Sequence, residues 1–305
     1  MTVTHADVAA AGERISGRVL RTPVLEVAPG LVFKLEQLQH SGSFKVRGAF
    51  NRILSAGGLP AGGVIAASGG NHGLAVAYAA RALGVRAEIF VPTVTSPVKL
   101  AGLRALDAQV TQTGAIYAEA AQAAAKRAAE TGALPVHAYD QPEVVAGQGT
   151  LALELMEQAP DVDTVLVAVG GGGLAAGVAL GLPSRVRLVT VEPELIPTLH
   201  AALRAGQPVP VEVSGVGADA LGATEVGGTA FGVLSAAAVT SVLVSDAAIV
   251  EARRTLWTRH RMVVEHAGAA AFAALLSGAY QPADGERAAV VICGSNTDPA
   301  TLTTS

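Results

Sequence analysis

Ser41-Gly42-Ser43-Phe44-Lys45-Val46-Arg47-Gly48 lies between an apolar run at residues 31–33 and a helical pattern that begins at Val46. Ser43 has the residue type and the position of an N-cap. From residue 46 onward, apolar residues recur three and four positions apart, which is typical of a helix with one buried face; they are Val46, Ala49, Phe50, Ile53 and Leu54. The stretch therefore predicts a helix that carries Lys45 in its first turn.

The position of Lys45 bears on its chemistry. Free N–H groups and the helix dipole disfavour a cation in the first turn, so this amine should lose its proton easily, as an imine-forming lysine requires. The alternative is an ordinary surface lysine. The chain has three other lysines, of which Lys34 ends an apolar strand pattern and Lys126 lies on an alanine-rich helix; the third is Lys99. If one lysine forms an imine, we expect it to be Lys45.

Length and composition narrow the class of protein. A chain of 305 residues, half of them hydrophobic, can form one large or two modest domains. The net charge is −4, and no run of like charges indicates nucleic acid or a membrane surface as a partner. A single cysteine, Cys293, excludes an internal disulfide and favours a cytosolic protein.

Two further patterns bear on targeting. Charged residues precede any apolar run at the N-terminus, so we expect no signal peptide. The uncharged segment 165–182 has the length of a membrane span, but four glycines near its middle favour a strand, a turn and a buried helix instead.

Short apolar strand patterns alternate with helical patterns along the chain, which is typical of parallel sheets covered by helices on both faces. Strands are predicted near residues 31–35, 64–67, 86–91, 109–112, 164–169, 187–192, 241–244 and 288–293. Helices are predicted near residues 6–20, 46–54, 74–83, 97–106, 115–131 and 174–182. Crossings near residues 47 and 145 predict two lobes, a large one of residues 1–46 and 146–305 and a small one of residues 47–145. Ligands of such folds bind at the carboxyl ends of the strands.

The glycine-rich loop Gly170–Gly173 follows a strand pattern and precedes a helix. Consecutive glycines let backbone N–H groups converge on an anion, and the helix N-terminus adds partial positive charge, which favours a phosphate site over a plain tight turn. A dinucleotide-binding loop has the pattern Gly-x-Gly-x-x-Gly, with an acidic residue about twenty positions later. Gly170, Gly172 and Glu192 fit this pattern loosely, so a dinucleotide site stays open as an alternative.

Two other loops carry polar or reactive groups. Ser68-Gly69-Gly70-Asn71-His72-Gly73 opens a helix and could bind an anion, whereas a lone histidine such as His72 is more often structural. Cys293 ends the last strand beside Gly294, where it is either a small core residue or a group that faces the ligand. No residues have metal-ligand spacing, and no Gly-x-Ser-x-Gly motif is present.

The four segments together resemble fold-type II pyridoxal-phosphate enzymes, and specifically the serine/threonine dehydratase and serine racemase family. Residues 34–49 are similar to the lysine motif of that family. Residues 68–73 resemble its asparagine loop, 170–173 its phosphate loop and 293–296 the segment facing the pyridine nitrogen. The resemblance covers nearly the whole chain in the family's order. It implies the two-lobed, tryptophan synthase β-like α/β fold, with pyridoxal 5'-phosphate bound in the large lobe.

Carried over to this sequence, the resemblance implies roles for individual residues. Lys45 would form a Schiff base with the cofactor and, once released, remove the Cα proton. Phe44 would pack on the cofactor ring, Asn71 would bind its 3-hydroxyl and Cys293 would face its pyridine nitrogen. The cofactor phosphate would be held by Gly170, Gly171, Gly172, Gly173 and Leu174. The substrate carboxylate would be held by Ser68, Gly69, Asn71 and the loop amides up to His72.

The sequence departs from the family at several positions. Racemases have a serine where this chain has Gly69, which has no side chain to move a proton. The family's cation site would use Glu192, the Ile196 carbonyl and an acid at the position of Thr198, so we predict no metal. The segment Ala218-Asp219-Ala220 has alanine where a glycine often lies over the cofactor. We also expect no C-terminal regulatory domain.

The resemblance and the residues together predict a lyase that converts L-threonine or L-serine to a 2-keto acid and ammonia. Cys293, a weak donor, would not keep a pyridine nitrogen protonated, and a modest electron sink suits a reaction with a β-leaving group. The alternatives are a serine racemase or another β-hydroxyamino-acid lyase, a β-replacement enzyme, and a non-catalytic cofactor- or nucleotide-binding protein. We expect a cytosolic homodimer, with an amino acid as the ligand.

Overall fold

The computed structural model describes residues 3–302. The strands are β1 Val24–Ala28, β2 Leu31–Lys34, β3 Val64–Ala67, β4 Ala87–Val91, β5 Gln109–Gln112, β6 Leu134–Pro135, β7 Thr164–Ala168, β8 Arg187–Pro193, β9 Thr240–Val244 and β10 Ala288–Val291. The α-helices are α1 His5–Ile15, α2 Lys45–Leu54, α3 Asn71–Ala82, α4 Pro97–Arg104, α5 Tyr117–Thr131, α6 Pro142–Gln158, α7 Gly173–Gly181, α8 Thr198–Ala205, α9 Ala218–Leu221, α10 Gly228–Ala236, α11 Asp246–His260 and α12 His266–Leu276.

The strands form two separate sheets. The six-stranded sheet has the order β1-β2-β10-β7-β8-β9, and the four-stranded sheet has the order β5-β4-β3-β6. All neighbours are parallel except β1 and β2, which form an antiparallel pair at the edge of the larger sheet. The predicted α/β fold with mostly parallel sheets is thus confirmed, although β1 and β6 were not among the predicted strands.

The two sheets have separate hydrophobic cores. The core of the large sheet includes Phe44 and, further along the chain, Val145 to Cys293. The main core beside the small sheet draws its buried residues from between Val46 and Val144, with Ile15 as the one addition from the N-terminal helix. The chain therefore changes cores at the start of α2 and again within α6.

Helix α6, like α8 to α12, was not among the predicted helices, and it contains Gly147 and Gly149. The structure shows why these glycines lie in a helix. A Cβ on Gly147 would be 2.7 Å from Gly48 Cα, and a Cβ on Gly177 would be 2.6 Å from the Gly149 nitrogen. Glycine lets α2, α6 and α7 approach each other at backbone distance.

A buried group of charges, here called the Arg47 cluster, joins β2, the segment after it, α2 and α6. It consists of Lys34, Glu36, Arg47 and Glu154. The Arg47 guanidinium, which has no exposed surface, donates to Glu36 and Glu154 at 2.7 Å each. Lys34 Nζ donates to Glu154 Oε2 at 2.7 Å and to the Thr22 carbonyl at 2.9 Å. Each charge in the cluster therefore has an opposite charge beside it.

The predicted strand, glycine turn and buried helix across residues 165–182 are confirmed as β7, the loop at 170–172 and α7. Within residues 3–302, no helix is both long enough and apolar enough to cross a membrane. The predicted first helix is shorter than expected and ends at Ile15.

Candidate active site

Backbone pairing positions the start of α2 against the end of β10. Ser43 forms an isolated antiparallel bridge with Gly294, and the Phe44 N–H donates to the Cys293 carbonyl at 3.2 Å. The prediction of Ser43 as the N-cap is wrong: Phe44 occupies that position, and the buried Ser43 hydroxyl has no protein partner among the described residues. Pairing of the Ser43 backbone with the last strand's extension takes its side chain out of the cap position.

Lys45 is the first residue of α2, and its amine points to the segment that precedes α6. Nζ donates to the Ala138 carbonyl oxygen at 2.7 Å and lies 5.2 Å from the centre of the Phe44 ring. Burial lowers the pKa of Lys45 to about 8, against smaller opposing effects of Cys293 and Glu265. The amine is thus more easily deprotonated than an ordinary lysine, mainly through loss of solvation.

The glycine loop follows β7 and leads into α7, which begins at Gly173. Gly172 has a φ of +87°, a conformation that favours glycine. A Cβ on Gly171 would overlap the Tyr139 ring, and one on Gly170 would lie 2.9 Å from the Leu221 backbone. The loop is therefore lined by backbone and closely covered by Tyr139.

Cys293 follows β10 and is buried. Its thiol donates to the Ala267 carbonyl at 3.4 Å, and burial raises the pKa of the thiol above its usual range. The group is consequently a neutral thiol rather than a thiolate.

Asn71 is the first residue of α3, and its amide is held from both ends. Nδ2 donates to Glu265 Oε1 at 2.5 Å, and Oδ1 accepts from Asn296 Nδ2 at 2.7 Å. Glu265, which immediately precedes α12, is 8% exposed, and burial raises its pKa to about 7. Asn71 thus connects the asparagine loop to the segments at residues 265 and 296.

These groups meet in one cavity. Its walls include every predicted cofactor-binding residue: Phe44, Lys45, Asn71, Gly170, Gly171, Gly172, Gly173, Leu174 and Cys293. Ala220 lines the cavity as well.

Three of the predicted substrate-binding residues lie outside the cavity wall. The Ser68 hydroxyl accepts from the Gly70 N–H at 3.2 Å, and a Cβ on Gly69 would be 3.0 Å from Thr95 Cγ2. The His72 ring is 2.8 Å from the Val136 carbonyl, and burial lowers its pKa to about 3. The neutral imidazole donates to that carbonyl, so its side chain has a structural partner.

Glu265, Tyr139 and the carbonyl of Ala138 were not among the predicted site residues. Glu265 is a charged residue that follows the apolar pair Val263-Val264 and precedes an alanine-rich helix, and that unusual placement was an available signal. Tyr139 and Ala138 lie in an irregular segment between β6 and α6, where no periodicity marks a site.

The carboxylate of Glu192 is used within the protein. It accepts from the backbone N–H groups of Leu199 and His200 at 2.7 and 2.8 Å, while the Thr198 hydroxyl lies 2.5 Å from the Gly170 carbonyl. Burial raises the pKa of Glu192 to about 7. Within residues 3–302, no group of three or more histidine, cysteine or acidic side chains could hold a metal ion.

Comparison with known proteins gives consistent results. Residues 15–294 match the family described as pyridoxal-phosphate dependent enzyme. The chain is 38% identical to an L-threonine ammonia-lyase of Geobacter sulfurreducens, over 96% of this chain and 75% of that protein. Among solved structures it is similar to maize serine racemase, with a TM-score of 0.92 and 30% identity over 99% and 96% of the two chains. It is also similar to a T.th. threonine deaminase, with a TM-score of 0.90 and 36% identity over 97% and 99%.

Proposed function

Because this chain belongs to the family of pyridoxal-phosphate dependent enzymes, we propose that it removes water from L-threonine or L-serine and releases a 2-keto acid and ammonia. The proposal is carried by one observation. A lysine amine with a lowered pKa, a backbone-lined glycine loop and a neutral thiol line the same cavity. The names of the Geobacter ammonia-lyase and the T.th. threonine deaminase agree with this reaction.

The residues of the cavity fit pyridoxal 5'-phosphate. The loop Gly170–Gly173 leads into the N-terminus of α7, where N–H groups can hold a phosphate, and Leu174 adds the next amide. Phe44 lies beside Lys45 and offers an apolar face to a planar ring. Asn71 would bind the 3-hydroxyl, and Cys293 would face the pyridine nitrogen as a neutral thiol.

When bound, the cofactor supplies an electron sink for the bond from Cα of the amino acid. Lys45 is assigned the two tasks of attaching the cofactor and removing the Cα proton. A pKa of about 8 leaves part of the amine neutral near neutral pH, so it can accept that proton. The β-hydroxyl then leaves as water with the proton that Lys45 has taken from Cα, and a second water hydrolyses the dehydrated amino acid to the keto acid and ammonia.

The substrate carboxylate is assigned to the start of α3. The backbone amides of Gly69 to His72 and the Ser68 hydroxyl lie at or before the first turn of that helix, where negative charge is favoured. The His72 side chain is not part of this assignment, because it already donates to Val136.

The experiment that tests the function is release of 2-keto acid from a panel of L- and D-hydroxyamino acids. We expect turnover of L-threonine or L-serine by the wild type, with equal amounts of keto acid and ammonia. Absence of keto acid from every member of the panel, in protein that has bound the cofactor, would refute the proposal.

Serine racemisation is the second candidate, favoured by the similarity to maize serine racemase. A racemase needs a proton donor on the face of Cα opposite the lysine. Gly69 has no side chain to supply one, and a side chain there would press on Thr95. We therefore expect little D-serine from L-serine in the same panel, and rapid D-serine formation would reverse the order of the two candidates. A β-replacement enzyme would turn over only when a nucleophile is added to the assay. A non-catalytic dinucleotide-binding protein would lack the yellow colour that bound pyridoxal 5'-phosphate gives to a purified protein.

We also propose that residues 1–46 and 146–305 form the large lobe and that residues 47–145 form the small lobe. The change of core between Phe44 and Val46, and again between Val144 and Val145, supports these boundaries. Hydrogen exchange in which these two sets of residues lose protection as separate cooperative units would support them.

A cytosolic location and a homodimeric state complete the proposal. The single cysteine is free and buried, which is compatible with a reducing compartment. Light scattering of the purified protein tests the dimer, and fractionation of the source cells tests the location.

A further inference from the structure

Glu265 is a buried acid in the cavity wall to which no role has yet been given. It is the residue before α12, and its backbone N–H donates to the Gly294 carbonyl at 3.2 Å. A side chain on Gly294 would overlap Glu265 Oε1, so glycine at that position leaves room for the carboxylate. The carboxylate therefore has a built place in the fold, in contact with Asn71.

The hydrogen bonds fix which way the Asn71 amide faces. Asn296 Nδ2 donates to the Ser41 carbonyl at 2.8 Å, and a carbonyl can only accept, so the orientation of the Asn296 amide is set. Its second N–H donates to Asn71 Oδ1, which places the Asn71 nitrogen toward Glu265. One N–H of that nitrogen binds the carboxylate, and the other is available to a ligand.

We propose that Glu265 is a positioning residue that holds Asn71 with an N–H, rather than its oxygen, toward the ligand. The inference rests on the proposed function, because it takes Asn71 as the group that binds the cofactor's 3-hydroxyl. An oxygen that carries negative charge needs a donor there, and an inverted amide would present a lone pair instead.

The protonation state of Glu265 controls the strength of this arrangement. An ionised carboxylate only accepts, so it requires the Asn71 nitrogen beside it, whereas a protonated carboxyl can also donate to the amide oxygen. Burial raises the pKa of Glu265 to about 7, with the Asn71 hydrogen bond opposing it. The charged or titratable groups that act on Glu265 or feel its charge lie on several elements; they are Lys45 on α2, Lys99 on α4, Asp219 on α9, Arg253 on α11 and Cys293 after β10.

The test compares Glu265→Gln and Glu265→Leu with the wild type by equilibrium titration of pyridoxal 5'-phosphate into the full chain after its cofactor is removed. Gln can still accept from Asn71 but does not titrate. Leu cannot accept, so we expect about 10- to 100-fold weaker binding, the value of a hydrogen bond to a charged group. The matched control is Glu88→Gln, a buried carboxylate beside Arg127 that lies outside the cavity wall, and it should bind as the wild type does.

Titrations between about pH 6 and pH 8.5 separate positioning from packing. Binding by the wild type should strengthen relative to Glu265→Gln as the pH rises through about 7, because only the wild type gains a charge at residue 265. Parallel curves for these two proteins would overturn the inference, as would wild-type affinity in Glu265→Leu. If Glu265→Leu does not fold, the Gln comparison alone decides. Failure of the proposed function is distinct, since the wild type itself would then release no keto acid.

Discussion

Helix α2 carries two cations, two residues apart, in opposite surroundings: Arg47 is fully buried and Lys45 is half-buried. Arg47 lies among the carboxylates of Glu36 and Glu154. Burial by itself would lower the pKa of Arg47, but the two carboxylates outweigh it and raise the pKa above its usual range. Lys45 has a carbonyl as its hydrogen-bond acceptor, and burial lowers its pKa to about 8. On this helix, a partner of opposite charge, rather than burial, decides whether a cation keeps its proton.

The two cations therefore have separate consequences when they are removed. Removal of Arg47 should destabilise the fold, because it leaves the Glu36 carboxylate buried without its cation. Lys45 serves chemistry, because its neutral form is accessible near neutral pH.

The largest expected effect is on turnover in Lys45→Ala. We expect keto-acid release to fall by about a thousandfold or more, because the only base assigned to the Cα proton is lost. The free energy of unfolding should stay the same or rise slightly, since a desolvated amine has been removed. Steady-state assay and urea denaturation measure the two quantities. A borohydride-reducible adduct on Lys34, Lys99 or Lys126 in this variant would contradict the assignment.

The converse change is Arg47→Met, which should lower the free energy of unfolding by about 3–5 kcal/mol. Turnover per folded molecule should change far less than in Lys45→Ala. Arg21→Met is the control, since the Arg21–Glu157 pair is exposed on both sides and should contribute about 0–1 kcal/mol. Equal stability of Arg47→Met and Arg21→Met in urea denaturation would show that the buried charges around Arg47 add nothing to the stability of the fold.

The third prediction concerns pH and the stability of the cofactor-free protein. Lys45 titrates at about 8 in the fold and at 10.5 when unfolded, so the unfolded chain binds more protons between these values. Lys45 should therefore make the protein more stable as the pH rises through this window, by roughly 3 kcal/mol in total. Denaturation of the wild type and Lys45→Met across the window isolates this effect, since Cys293 and the other groups titrate in both. Parallel curves would show that the amine is not desolvated.

A smaller effect is expected at Cys293. Cys293→Asp would put a carboxylate near Lys45, as Arg47 already has carboxylates beside it. The pKa of the Lys45 amine should then rise, and turnover near neutral pH should fall about tenfold, because less of the amine is neutral. The carboxylate would also face the pyridine nitrogen and keep it protonated. Cys293→Ser, a neutral hydroxyl, should stay within about threefold of the wild type. The pH dependence of kcat in the three proteins measures the shift, and superimposable profiles would place Cys293 away from Lys45.

The sequence allowed prediction of those parts of the site that have a local signature. Lys45 begins a helix with a clear apolar face, the glycine loop joins a strand to a helix, and both signals lie within a few residues. Parallel strands then bring such loops to one edge of a sheet, which is why the cavity includes every predicted cofactor-binding residue.

The remaining parts depend on contacts between distant residues. Glu265 contacts Asn71 across 194 positions of the chain, and no local pattern predicts that pairing. Ser43 was assigned as an N-cap from its position, but a tertiary bridge to Gly294 determines its conformation. The lowered pKa of Lys45 was predicted from the helix start, whereas burial is the main cause.

The glycine contacts between α2, α6 and α7 have a consequence for any saturation-mutagenesis map of this protein. Gly48, Gly147, Gly149 and Gly177 do not line the cavity, yet a Cβ at each would overlap a neighbouring residue. Fitness scores at these codons should be as low as at Lys45. The phenotypes will differ. A substitution at one of these glycines lowers the yield of folded enzyme, whereas a substitution at Lys45 leaves abundant folded protein that is inactive. A screen that reads expression and activity in parallel would separate the helix contacts from the chemistry.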